Sequence, residues 1–147
     1  MNWQTLYRLA EARDYDAFER AVNTGVEVPV NAPLHERFVV LDACAAVDPA
    51  VRTAWYLRWP DGYPRLWLWQ EEYAPAHLLA RQLAASLSVG ERLAWARHDC
   101  HDWQALIAFD EVTGARAKAL YLLILIPNNP DAYAEWCRVW DALESDE

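Results

Sequence analysis

The chain has 147 residues and a formal charge of −9, from 13 basic and 22 acidic side chains, and 54% of its residues are hydrophobic. Such a length and apolar content predict a single domain that buries about two thirds of its unfolded surface, and they exclude a disordered tail. The charge, with no basic run to interrupt it, argues against direct nucleic-acid binding and favours a basic protein partner.

Few glycines and abundant Ala and Leu point to helices throughout. Asn2 is placed to cap a first helix in which Trp3, Leu6, Tyr7 and Ala10 recur at helical spacing. Asp14 is placed to cap a second, with Tyr15, Phe18, Ala21 and Val22 on one face and Gly25 as its stop. After an extended link from Val26 to Pro33, a third helix carries Phe38, Leu41, Cys44 and Ala45. Asp48-Pro49 then reads as N-cap and first turn of a fourth helix, ending at Pro60.

Between Trp55 and Tyr73 stand seven aromatic residues, interrupted by Pro60-Asp61-Gly62 and Pro64. The alternation in Leu66 to Trp69 is too short to choose between a short helix, an edge strand and a packed loop. From Pro75 a helix presents Leu78, Leu79, Leu83 and Leu87, and Ser88 with Glu91 forms the capping-box pattern of the next, which runs towards Arg97. Asp102 is placed to start another, through Glu111. The run beginning near Ala115 is apolar on every side from Leu120 to Ile126, as in a buried helix or a central strand, and its Ala-Arg-Ala-Lys-Ala start favours helix. Asn129-Pro130 opens the last helix, with Tyr133, Trp136, Cys137, Trp140 and Leu143 along one stripe.

The expected fold is therefore all-α: a single helical domain over residues 1–147, with seven to nine helices in stacked antiparallel hairpins and room for a small strand pair near residues 66–69. A weak internal echo supports the hairpins. Leu9-Ala10-Glu11-Ala12-Arg13 followed by Asp14 and Tyr15 is answered by Leu93-Ala94-Trp95-Ala96-Arg97 followed, after an insertion, by Asp102 and Trp103. Each copy reads as a helix, a polar turn whose Asp caps the next helix, and an aromatic wedge.

The one cluster with metal-compatible chemistry is His98-Asp99-Cys100-His101-Asp102, in which His98 and His101 are the candidate ligands. His35 and His77 stand at no recognisable spacing from it, and a polar turn with Asp102 as cap explains the same residues. A thiol nucleophile at Cys100 or Cys137 would need a histidine base and an orienting acid, which adjacency in sequence does not supply. Glu71-Glu72 and Asp110-Glu111 point about 100° apart on a helix, so neither is a ready acid–base pair. No catalytic residue and no cofactor is expected.

The tryptophans divide. Trp3, Trp55, Trp95, Trp103, Trp136 and Trp140 fall on apolar faces and are assigned to packing. Trp59, Tyr63, Trp67 and Trp69 lie in or beside a turn, where fewer neighbours bury them; with Asp61, Glu71 and Glu72 they form the candidate partner-binding set, flanked by Arg58 and Arg65. A carbohydrate- or peptide-binding platform would use similar residues. Acid gathers at the end of the chain, with six carboxylates and one Arg from Pro127 to Glu147.

The first residues lack the pattern of a signal peptide, and the longest apolar run, Ala119 to Ile126, is far short of the roughly twenty residues a membrane span needs. Three widely spaced cysteines read as reduced thiols. A cytoplasmic location with no membrane association is the expectation. In size, acidity and want of catalytic motifs the chain resembles the small immunity proteins that bacteria make against their own secreted toxins. That resemblance implies an inhibitor that neutralises a basic, nucleic-acid-acting toxin by direct binding. The alternatives are a helical adaptor or secretion chaperone, and a metal- or thiol-dependent enzyme around the His98–Asp102 turn.

Overall fold

In the computed structural model, which describes residues 2–68, 72–103, 112–126 and 130–144, the first two helices begin at their expected caps. The Asn2 side chain accepts a hydrogen bond from the Thr5 amide at 2.8 Å to start α1 (Trp3–Glu11), and Asp14 accepts from Ala17 at 3.3 Å to start α2 (Tyr15–Asn23). Arg13, at φ 57°, turns the chain between them, and Gly25, at φ 91°, ends the pair. The link to Pro33 contains no helix or strand, and α3 (Leu34–Val47) follows.

The next segment departs from the sequence expectation. Helix α4 is only Ala50–Thr53, begun by the Asp48 carboxylate accepting from the Ala50 amide at 2.9 Å. The chain then becomes a strand, β1 (Ala54–Arg58), paired antiparallel with β2 (Pro64–Leu68). The helix expected to reach Pro60 gives way after one turn because Trp55, Tyr56 and Leu57 favour an extended, half-buried surface once a second strand lies beside them. The strand pair allowed near residues 66–69 is thus a longer hairpin that begins earlier.

Beyond it come α5 (Pro75–Ala85), α6 (Val89–Arg97), α7 (Gly114–Leu125) and α8 (Pro130–Glu144). Ser88 and Glu91 form the full capping box, with reciprocal bonds of 2.8 and 3.2 Å. Thr113 caps α7 by accepting from the Arg116 amide. The run from Leu120 to Leu125 is helical, and nearly all of it is buried. The helix expected to run from Asp102 through Glu111 lies mostly outside the described residues.

The described residues thus form an all-α arrangement of eight helices with one small antiparallel hairpin. α1 packs on α2 and α3, α3 on α5, and α7 on α6 and α8, as expected of stacked antiparallel hairpins. Leu6, Phe18, Leu41, Leu83, Trp95, Leu120 and Trp136 belong to one continuous core. Leu78, expected on the buried face of α5, is instead exposed, and His77 beside it is fully buried. None of the described helices is long and apolar enough to cross a membrane.

Candidate protein-binding face

The hairpin is built by its turn. The Gly62 amide donates to the Trp59 carbonyl at 2.9 Å, and the Trp59 amide to the Tyr63 carbonyl at 3.2 Å. Gly62 sits at φ 88°, where a side chain would be strained, and the Asp61 carboxylate accepts from the Tyr63 amide at 3.0 Å. This is a three-residue loop, Pro60-Asp61-Gly62, whose left-handed glycine sets the strand register. Trp55 lies opposite Trp67, Tyr56 opposite Leu66, Leu57 opposite Arg65 and Arg58 opposite Pro64.

The pleat follows from that register. Trp55, Leu57 and Trp59 share one face of the hairpin and Ala54, Tyr56 and Arg58 the other. Ala54 is buried and Tyr56 half-buried, whereas Trp55, Leu57 and Trp59 retain 63%, 51% and 46% of their surface exposed. Trp55, assigned by its sequence to packing, is therefore the most exposed tryptophan among the described residues whose side chains are placed. The reason is the strand: period-two alternation turns outward what a helix would have turned inward.

Tyr63, just before β2, and Arg65 within it fasten the hairpin to α8. The Tyr63 hydroxyl donates to Asp141 at 2.8 Å, which together with its burial raises the phenol above its ordinary range. Arg65 donates to the Tyr133 hydroxyl, pairs with Asp61 at 2.7 Å, and lies over the rings of Trp59 and Tyr133 at 5.4 and 5.0 Å. The outer stripe on β1 is thus presented on a braced element. Of the sequence-predicted set, Trp59, Asp61 and Tyr63 come together at the hairpin tip. Trp67 joins them through its backbone pairing opposite Trp55, and Glu72 is exposed at a bend beyond β2. Trp69 and Glu71 lie outside the described residues. The residues missed were Trp55 and Leu57, although the alternation Trp55, Leu57, Trp59 is legible once a strand is assumed.

Beside the tip, a cavity of about 280 Å³ is lined by Asp61, Tyr63, Trp140, Asp141 and Glu144 together with Arg58 and Arg116. Three carboxylates face two guanidinium groups there, and Arg116 is held over the Trp140 ring at 4.5 Å and 3.7 Å from Glu144.

The His98 to Asp102 segment is a turn at the end of α6, with Asp99 at φ 44°. The His98 ring packs against Phe38 at 5.6 Å and edge-on to His35 at 6.3 Å, while His101 is exposed. Among the described residues no group of three His, Cys, Asp or Glu side chains gathers where a metal ion could be held. The turn lines a cleft of about 370 Å³ with Arg13, His35, Asp42 and Trp103. Arg13 and Asp99, the left-handed residues of the two turns, meet across it at 3.3 Å. Burial raises the thiols of Cys44 and Cys137, the direction opposite to that of an activated nucleophile.

Comparison with protein-family profiles, with curated proteins and with solved structures finds no match to this chain. Fold and site together define an all-α scaffold that carries one aromatic hairpin on its surface.

Proposed function

We propose that the chain is a protein-binding module, an immunity-type inhibitor that neutralises a basic, nucleic-acid-acting toxin by direct contact through the hairpin. The observation that supports this reading is the stripe of Trp55, Leu57 and Trp59, three large apolar side chains about half exposed on an element tied to the core by Tyr63 and Arg65. Interfaces are anchored by aromatic residues of this kind, ringed by polar groups that exclude water. The charge of −9 supplies long-range attraction for a basic partner.

The test is to isolate the tagged protein from its native host at low salt, identify a stoichiometric partner, and assay that partner alone and in complex. Inhibition that is lost in the Trp55→Ala/Trp59→Ala variant is the expected result. A partner that stays fully active in the complex would replace the inhibitor reading with an adaptor or secretion chaperone. Association should slow as salt rises, because screening shortens the range of the field to about 10 Å at 0.1 M; an on-rate indifferent to salt would remove the charge from the argument.

A further inference from the structure

Resting on the reading of the hairpin as the binding face, we infer that the partner engages it by strand addition: an extended segment of alternating apolar and basic residues pairs with the outer edge of β1.

The backbone geometry carries this. The Trp59 amide bonds to the Tyr63 carbonyl, so residues 59 and 63 form a hydrogen-bonded pair. In an antiparallel ladder such pairs alternate with non-bonded ones, so Leu57 with Arg65 and Trp55 with Trp67 are bonded pairs, while Arg58 with Pro64 and Tyr56 with Leu66 are not. Pro64, which has no amide hydrogen, falls on a non-bonded position, as this requires. The N–H and C=O of Tyr56 therefore point away from β2. Among the described residues the sheet has only these two strands, so β1 is an edge. Within the strand there is no proline, lysine or bulge, and its one charged residue is Arg58 at the end.

Side chains then select the occupant. An added strand would lay alternate side chains beside Trp55, Leu57 and Trp59, which calls for apolar residues at every second position. At the tip it would approach Asp61, Asp141 and Glu144, which share that end of the hairpin with Arg58, Arg65 and Arg116. The other positions lie on the face of Ala54, Tyr56 and Arg58, and the chain charge of −9 favours basic over acidic side chains there, except beside Arg58 itself.

The test uses the whole protein and two synthetic peptides of about eight residues, one alternating Val and Lys and one alternating Val and Glu. The Val-Lys peptide should shift tryptophan fluorescence and bind about tenfold tighter than the Val-Glu peptide. Residue-resolved amide exchange should show the Tyr56 amide slowing on binding while that of Leu57, already bonded to β2, is unchanged. Tyr56→Pro removes the outward amide without touching a β2 bond and should weaken binding about tenfold or more, whereas Tyr56→Phe should not. Binding with no protection at Tyr56 would overturn strand addition. If that binding were nevertheless lost in Trp55→Ala/Trp59→Ala, the binding face itself would stand. Failure of both peptides to bind, or a dimer in sedimentation that Tyr56→Pro dissolves, would overturn the assigned occupant, the second result giving the edge to another copy of this chain.

Discussion

The Nδ1 of His77 lies 2.7 Å from Oδ2 of Asp48, and both side chains are wholly shielded from solvent. The same Oδ2 accepts from the Tyr121 hydroxyl at 3.0 Å, and Oδ1 accepts from the Ala50 amide at 2.9 Å. One carboxylate thereby joins the end of α3, the start of α4, α5 and α7. Tyr73 stacks on the His77 ring at 4.4 Å, and Arg81 covers Tyr73 in turn. Asp48→Ala leaves all three of these buried partners without their acceptor and should cost about 3 kcal/mol or more. Tyr121→Phe leaves Asp48 two of its three donors and should cost about 1 kcal/mol. Urea unfolding of both variants measures the difference, and equal losses would show that the carboxylate is not the organising group.

Lys118, the only lysine of the chain, is completely buried. Its ammonium donates to Asp42 at 3.0 Å and to the His98 carbonyl at 2.5 Å, and it lies 4.4 and 4.9 Å from the rings of Trp95 and Trp103. Burial lowers its pKa from the ordinary 10.5 despite the pull of Asp42, and burial likewise raises Asp42. Because the folded-state pKa of Lys118 is depressed, the unfolded chain holds more protons in the interval below 10.5, and this group's contribution to stability rises with pH there. Measured against Lys118→Met, the wild-type unfolding free energy should therefore climb as pH rises towards 10.5. Lys118→Met itself should cost about 2 kcal/mol at neutral pH. That is less than for a fully buried pair, because the Asp42 side chain keeps 21% of its surface exposed and the Trp95 indole N–H at 3.0 Å.

Two helical glycines should respond oppositely to alanine. A Cβ on Gly90 would meet nothing within 4 Å, so Gly90→Ala should stabilise by about 0.5 kcal/mol through helix propensity. A Cβ on Gly114 would lie 1.8 Å from the Cys100 carbonyl oxygen, and backbone would have to move to admit it. Gly114→Ala should destabilise by about 2 kcal/mol despite the same propensity gain. Thermal melts of the pair decide this, and stabilisation by both would mean that the turn after α6 does not press on the start of α7.

Exposed and buried tryptophans should separate cleanly. Trp55→Ala with Trp59→Ala removes side chains already about half in solvent, so helical circular dichroism should persist and stability fall by about 1 kcal/mol at most. Partner affinity should drop about thirtyfold, the equivalent of one hot spot of about 2 kcal/mol. Trp136, buried with its indole N–H on the Ala119 carbonyl, should cost about 3–5 kcal/mol as Trp136→Ala. A collapsed dichroism signal in the Trp55/Trp59 variant would return both residues to the core.

Where four of the helices begin was written locally. Asn2, Asp14, Ser88 with Glu91, and Thr113 satisfy amides within a few residues of themselves, so side-chain chemistry and spacing alone place those starts. The burial of α7 follows equally directly from a run that is apolar on every side. The fate of Ala54 to Arg58 was not local. Trp55, Tyr56 and Leu57 serve either a helix or a strand, and the choice falls to strand only when Pro64 to Leu68 lies alongside with Gly62 closing the turn. The same holds for Asp48, read as a cap and found also to bind His77 and Tyr121 from helices 29 and 73 residues distant. Sequence by itself determined the all-α class and the caps at Asn2, Asp14 and Ser88, because these depend on contacts a turn or two away. Only the tertiary structure decided which aromatics face water and which polar groups meet in the core, because a pleat or a buried cluster exists only once distant segments are brought together.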